Sequence, residues 1–167
     1  MKRVMIVGIS GAGKSTLGLK LSEKLGIPAY HLDNIYHRPG WVARPEADVQ
    51  RDFEAIATEE SWVVDGNYRN LSFALQDRAE VIVFLDFGRI FGLRQVLRRW
   101  ALHRLGIQRR HDLAQGFDEQ MTWTFIKWVW NWRGGNRDRW VTQLATWGPK
   151  VKVFKNRQQV NEWVSSL

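Results

Sequence analysis

The sequence predicts an α/β fold built on a parallel sheet, and three observations carry that expectation. Five short apolar, β-branched runs are separated by stretches of helical periodicity, the first run feeds a glycine-rich turn, and three aspartates stand where strands end. Strands that alternate with helices pair in parallel and are covered on both faces. The 167 residues hold 44% apolar and 25% charged side chains. That is enough to bury the core of one domain, expected over residues 1–167, and it excludes a disordered chain.

Taken in order, Arg3 to Val7 reads as the first strand, and Leu17, Leu21 and Leu25 then recur at helical spacing up to Gly26 and Pro28. Ala29 to Leu32 reads as the second strand. Val49, Phe53 and Ile56 form the stripe of a helix, with Pro45 suited to its first position because the missing N–H has no partner there anyway. Trp62 to Val64, Val81 to Leu85 and Val151 to Phe154 complete the strands. Leu93, Leu97 and Trp100 mark one later helix. Met121, Phe125, Trp128 and Trp132 mark another.

Composition narrows the function class. The absence of cysteine excludes disulfides, thiol chemistry and cysteine-ligated metals, and a reducing cytoplasm is the expected location. The longest purely apolar run, Val81 to Leu85, falls far short of the ~20 residues of a membrane span. Net charge is +8, unevenly placed: residues 1–86 carry 10 basic and 12 acidic side chains, residues 87–167 carry 15 and 5. Nucleic acid, nucleotide phosphates and an anionic membrane surface all satisfy such a charge, so a motif has to decide.

Gly8-Ile9-Ser10-Gly11-Ala12-Gly13-Lys14-Ser15 is that motif, a Walker A phosphate loop. Its glycines let backbone N–H groups converge on phosphate oxygens, and the N-terminus of the following helix adds its dipole. Gly8, Gly11, Ala12 and Gly13 form the cradle, Lys14 reaches the β and γ phosphates of ATP, Ser15 ligates Mg²⁺, and Thr16 donates a further hydrogen bond. Lys14 is expected to stand in solvent until nucleotide arrives. A glycine-rich turn with an incidental lysine is the bland alternative. The strand before the motif and the helix after it argue against that.

Asp33, Asp65 and Asp86 each follow a strand, so a parallel sheet gathers them at its carboxyl edge beside the phosphate loop. There Asp33 and Asp65 serve to hold Mg²⁺ or its waters, or to take a proton from an acceptor hydroxyl. Asp86 is balanced between such a role and turn formation. From Phe87 to His111 there are seven arginines and no acid: Arg89, Arg94, Arg98, Arg99, Arg104, Arg109 and Arg110. A phosphate clamp explains the run, Arg94 and Arg98 foremost, and a solvated helix face is the alternative. Arg133, Arg137 and Arg139 are candidates for a second clamp. Four of the ten tryptophans, Trp123, Trp128, Trp130 and Trp132, crowd one segment, where core packing or a homodimer interface is a simpler account than base stacking.

Asp65-Gly66-Asn67-Tyr68-Arg69 resembles the Asp-Gly-x-x-Arg segment of nucleoside monophosphate kinases, and Arg94 and Arg98 resemble the arginines that open their lid. Together with His31-Leu32-Asp33, Trp41 and the run from Trp62 to Tyr68, the whole chain resembles the bacterial DNA topology modulation proteins, adenylate-kinase-related P-loop proteins. The resemblance implies a five-stranded parallel sheet in the order 2-3-1-4-5 with an arginine-rich lid over residues 94–118. It also implies an ATP- and Mg²⁺-dependent kinase in which Arg69 holds substrate phosphate. The catalytic set is then Lys14, Asp33, Arg69, Arg94 and Arg98, with Asp33, Asp65 and Arg69 around the acceptor, and Ser15 with Asp65, through water, at the metal. Tyr36-His37-Arg38-Pro39-Gly40-Trp41 departs from the adenylate kinase pattern. The acceptor, a nucleotide or another small molecule, stays open on the sequence, and an ATP-binding regulator that grips nucleic acid is the alternative function.

Overall fold

The computed structural model describes residues 1–106 and 122–167. Five strands form one parallel sheet: β1 (Arg3–Gly8), β2 (Ala29–His31), β3 (Trp62–Asp65), β4 (Val81–Leu85) and β5 (Val151–Phe154). Their order across the sheet is 2-3-1-4-5, as the resemblance implies. β1 is central, pairing Met5 with Val64 on one side and with Ile82 on the other. Because such a strand is covered on both faces, Val4, Met5, Ile6 and Val7 are all fully buried, with no polar alternation.

Helix α1 (Lys14–Leu25) leaves the phosphate loop and packs Leu17, Gly18 and Leu21 on the sheet. A short α2 (Leu32–Tyr36) follows β2 directly, so Leu32 is helical rather than the last residue of a strand. After it comes an unforeseen two-stranded hairpin, His37–Arg38 against Val42–Ala43. Its Pro39-Gly40 turn signal is legible in the sequence. α3 (Glu46–Thr58) buries Val49, Phe53 and Ile56 as the periodicity required, with Pro45 one residue ahead of the helix. α4 (Phe73–Arg78) leads into β4.

α5 (Arg89–Arg104) differs from expectation. Its buried positions are Gly92 and Val96, while Leu97 is exposed. The reason is a backbone contact: a methyl group on Gly92 would lie 2.8 Å from the Ser10 carbonyl oxygen. The helix therefore sits on the phosphate loop by its glycine rather than by a leucine stripe. Residues 94–104 of the expected lid belong to this helix, whereas its residues 107–118, Arg109 and Arg110 among them, lie outside the described residues, as does Met121.

α6 (Trp123–Trp130), α7 (Asn136–Ala145) and α8 (Arg157–Ser165) complete the chain. Trp132 is fully buried and Trp128 packs against it at 5.4 Å between ring centroids. Trp123 and Trp130 are exposed, so of the four clustered tryptophans only Trp128 and Trp132 pack into the core. Among the described residues, no helix is long and apolar enough to cross a membrane.

Candidate active site

The loop from Gly8 to Ser15 turns through left-handed glycines at Gly11 (φ 81°) and Gly13 (φ 91°), a conformation in which a Cβ is strained. Lys14 follows as the first residue of α1. Its ammonium donates to the carbonyls of Gly8 (3.0 Å) and Ile9 (3.3 Å). The expectation of a purely solvated lysine is thus corrected, because the curl of the loop brings its own carbonyls within reach of Nζ. Thr16 is exposed beside it.

Asp65 ends β3, next to β1, and its side chain is buried. Ser15 Oγ donates to Asp65 Oδ2 at 2.9 Å, and His31 Nδ1 pairs with Asp65 Oδ1. The carboxylate is thereby held by groups from β2 and α1. The hydroxyl of Ser15 and the carboxylate of Asp65 form a pair of hard oxygen donors, the chemistry that suits Mg²⁺. The residues present fit that ion.

Two further residues of the Asp65–Arg69 segment hold the site's frame. Gly66 N donates to Ile6 O at 3.2 Å, and the Asn67 side chain then takes over where the ladder would continue. Its Oδ1 accepts from Gly8 N (3.1 Å) and its Nδ2 donates to Gly8 O (2.7 Å). The amide thus clamps the first glycine of the phosphate loop to β3. Neither this role nor that of His31 was read from the sequence, although the Asx-rich end of β3 is a signal for such a clamp.

Asp33 is exposed, near the start of α2, and Tyr68 OH donates to its Oδ1 at 2.6 Å. Burial first, then the adjacent Asp33 carboxylate, pushes the Tyr68 phenol well above its ordinary range, so it remains a donor. Arg69 Nη1 donates to Gln143 Oε1 on α7 at 3.0 Å, and Gln143 in turn donates to the buried Gln76 at 2.5 Å. Hydrogen bonds therefore send Asp33 and Arg69 to different partners.

Asp86, just beyond β4, is removed from any metal role. Arg137 grips it through Nε (2.6 Å) and Nη2 (2.8 Å), and Lys155 adds a third bond at 2.6 Å. The Arg137 bonds above all, aided by Lys155, hold its carboxyl down to about 2. Arg137 is correspondingly committed to a structural pair rather than to a phosphate clamp.

On α5 the ranking of the arginines changes. Arg99 follows Gly92 by seven residues and Val96 by three, which puts it on the face that meets the phosphate loop. It is half-buried, whereas Arg94 and Arg98 are exposed on other faces. The sequence favoured Arg94 and Arg98 for their resemblance to the arginines that open a kinase lid, and that resemblance does not say which face of the helix meets the phosphate loop.

A protein of Bacillus subtilis (strain 168), the uncharacterized protein YqaC, is 30% identical over 132 residues, spanning 77% of this chain and 71% of YqaC. The chain belongs to the YqaC family. No family model matches it. The fold of this YqaC relative is shared with solved shikimate kinases. That of Bacteroides thetaiotaomicron superposes with a TM-score of 0.58 at 21% identity, over 99% of this chain and 95% of the other. That of Acinetobacter baumannii, solved in complex with shikimate, gives 0.57 at 13% identity, over 99% and 94%. These likenesses establish a P-loop kinase fold for the YqaC relative.

Proposed function

We propose that this protein is an ATP- and Mg²⁺-dependent phosphotransferase that moves the γ-phosphoryl group to a hydroxyl of a small acceptor. The observation that carries the reading is the pairing of Ser15 with Asp65 at 2.9 Å directly behind the phosphate loop. A hydroxyl from the loop and a carboxylate from the neighbouring strand serve together where a nucleotide-bound cation must be held. Mg²⁺, when bound there, neutralises phosphate charge. Backbone N–H groups of Gly11 and Gly13, with Lys14 and Thr16, take the triphosphate, while the Ala12 N–H, expected in the cradle, donates to Ile9 O at 3.2 Å and braces the loop. Asp65 turns one oxygen to Ser15 and the cation's water, and His31 keeps the other fixed.

Asp33 orients the acceptor hydroxyl and takes its proton as the new oxygen–phosphorus bond forms and the bond to ADP breaks. Arg69 lies on the same segment as Asp65 and supplies positive charge on the acceptor side. Among the arginines of α5, Arg99 takes the leading role over Arg94 and Arg98, because it shares the Gly92 face. The test is a screen of nucleotides, nucleosides and small hydroxyl compounds for acceptor-dependent ADP release, with Asp33→Asn and Arg69→Ala beside the parent. Transfer falls by ~100-fold or more in Asp33→Asn while ATP binding is kept. Parent-like transfer in both variants contradicts the acceptor assignment.

The excess of basic over acidic side chains in residues 87–167, with Arg94, Arg98 and Arg104 exposed on α5, favours a second reading as an ATP-binding nucleic-acid partner. Tight DNA binding that collapses steeply between ~50 and ~200 mM salt, without ADP release for any acceptor, would establish it instead.

A further inference from the structure

Helices α5 and α6 turn a mixed apolar and basic face to solvent. On α5, Ile90, Arg94, Leu97, Ala101 and Arg104 recur at steps of four and three, and all are exposed. That spacing sets them along one side of the helix, opposite the Gly92 and Val96 side that meets the phosphate loop. On α6, Trp123, Lys127 and Trp130 recur in the same way and are exposed too, while Val129 is buried. The Arg89 guanidinium lies over the Trp130 ring at 4.5 Å, so the two stripes adjoin where α5 begins and α6 ends.

Large apolar side chains on this face stand in water. Ile90 is 72% exposed, and Trp123 and Leu105, the C-cap of α5, are each 70% exposed. Their charged neighbours have one sign. α5 and α6 together carry Arg89, Arg94, Arg98, Arg99, Arg104 and Lys127 and no carboxylate. Among the described residues, no acidic side chain pairs with Arg89, Arg94, Arg98, Arg104 or Lys127. Such a face finds its complement in an anionic surface that also takes up aliphatic and indole side chains. Nucleic acid supplies the charge, but Ile90 and Leu105 have no ring face on which a base could stack. A second copy of the chain in a two-fold dimer sets the face against itself, cation against cation.

We propose that the outward face of α5 and α6 docks on an anionic lipid bilayer. The two helices lie along the headgroup layer, with Ile90, Leu97, Leu105 and Trp123 dipped to the boundary of the acyl chains, a depth that suits indole as well. The arginines of the same stripe reach lipid phosphates from there, because a long side chain buries its stem and keeps its guanidinium among charges. The contact is peripheral, and the packing of Gly92 on the phosphate loop, on the other side of α5, is left as it is.

The experiment is co-sedimentation of the full chain with vesicles of phosphatidylcholine alone and of phosphatidylcholine mixed with phosphatidylglycerol, with a single-stranded oligothymidylate as the rival ligand. Ile90→Ser, Leu105→Ser and Trp123→Ser combined remove apolar contacts and keep every charge. Arg104→Gln with Lys127→Gln does the reverse. All five side chains are exposed, and circular dichroism checks the fold of each variant. The parent is expected to bind the mixed vesicles at least about tenfold more tightly than phosphatidylcholine alone, and the triple variant to lose about tenfold or more of that binding. The charge variant should lose roughly threefold or more. Should the triple variant fail to fold, Trp123→Ser alone is expected to lose roughly threefold, with Trp123→Phe close to the parent. No binding to the mixed vesicles, equal binding to both lipids, or vesicle binding that the apolar or the charge variant keeps in full overturns the proposal. Oligothymidylate binding that the triple variant loses while vesicles go unbound overturns it too, and makes the face a stacking surface for nucleic acid.

Discussion

Lys14 makes its bonds to two loop carbonyls, and the arrival of triphosphate exchanges those neutral partners for charged ones. Charge-assisted hydrogen bonds are worth about 1.5–3 kcal/mol, so Lys14→Ala should weaken ATP binding by roughly 10- to 100-fold. Arg99 and Arg94 provide a sharper contrast on one helix. Arg99→Ala should lower turnover by roughly 100-fold, the usual loss for one donor aimed at the moving charge, whereas Arg94→Ala should leave it near the parent value. Steady-state kinetics on both variants decides between them, and equal losses would mean that the Gly92 face does not set the function of α5. The loop glycines, Lys14 and Ser15 were legible in the sequence because the phosphate loop is a local pattern in which every position has its own backbone reason. Arg99 was not, because its rank depends on how a helix is rotated, and exposed arginines look alike in one dimension.

At the scale of elements, two contacts fix the site. α5 meets the phosphate loop at Gly92, and a methyl group there would lie 2.8 Å from Ser10 O and 2.9 Å from Ile9 Cδ1. In an ordinary helix interior, Gly→Ala stabilises by about 1 kcal/mol. Gly92→Ala should do the opposite, lowering the thermal midpoint and ATP affinity together, as differential scanning calorimetry and nucleotide titration would show. The second contact joins the end of β4 to α7 and the end of β5 through Asp86, Arg137 and Lys155. Its carboxyl falls from an ordinary 3.8 to about 2 in the folded chain. A depressed folded value contributes stability that is complete above the unfolded value and is lost as pH falls from about 4 toward about 2. The contribution is about 2 kcal/mol. Asp86→Asn should therefore cost about that much near neutral pH and flatten the acid limb of the stability curve, measured by denaturant unfolding. On the sequence, Asp86 stood only a little behind Asp33 and Asp65 among the aspartates at strand ends. What separates them is the partner each meets from a distant part of the chain, and spacing carries no record of that.

For the whole molecule, the five strands were legible because buried parallel strands leave a strong apolar signature, whereas their order 2-3-1-4-5 followed only from the family resemblance. The hairpin between α2 and α3 was missed: its strands are two residues each, below the length at which alternation can be seen, and only the Pro39-Gly40 turn signals it. That omission fell on a loop region, and loops are where a fold varies its function while the sheet stays constant. The central claim is that the Gly8–Ser15 loop binds a nucleoside triphosphate for transfer. The most direct measurement is calorimetric titration of ATP with Mg²⁺ into the parent and Lys14→Ala, with circular dichroism recording the fold of each. The parent should bind at one site and Lys14→Ala should lose most of that affinity with an unchanged spectrum; undiminished ATP binding by a folded Lys14→Ala, or none by the parent, would contradict the claim.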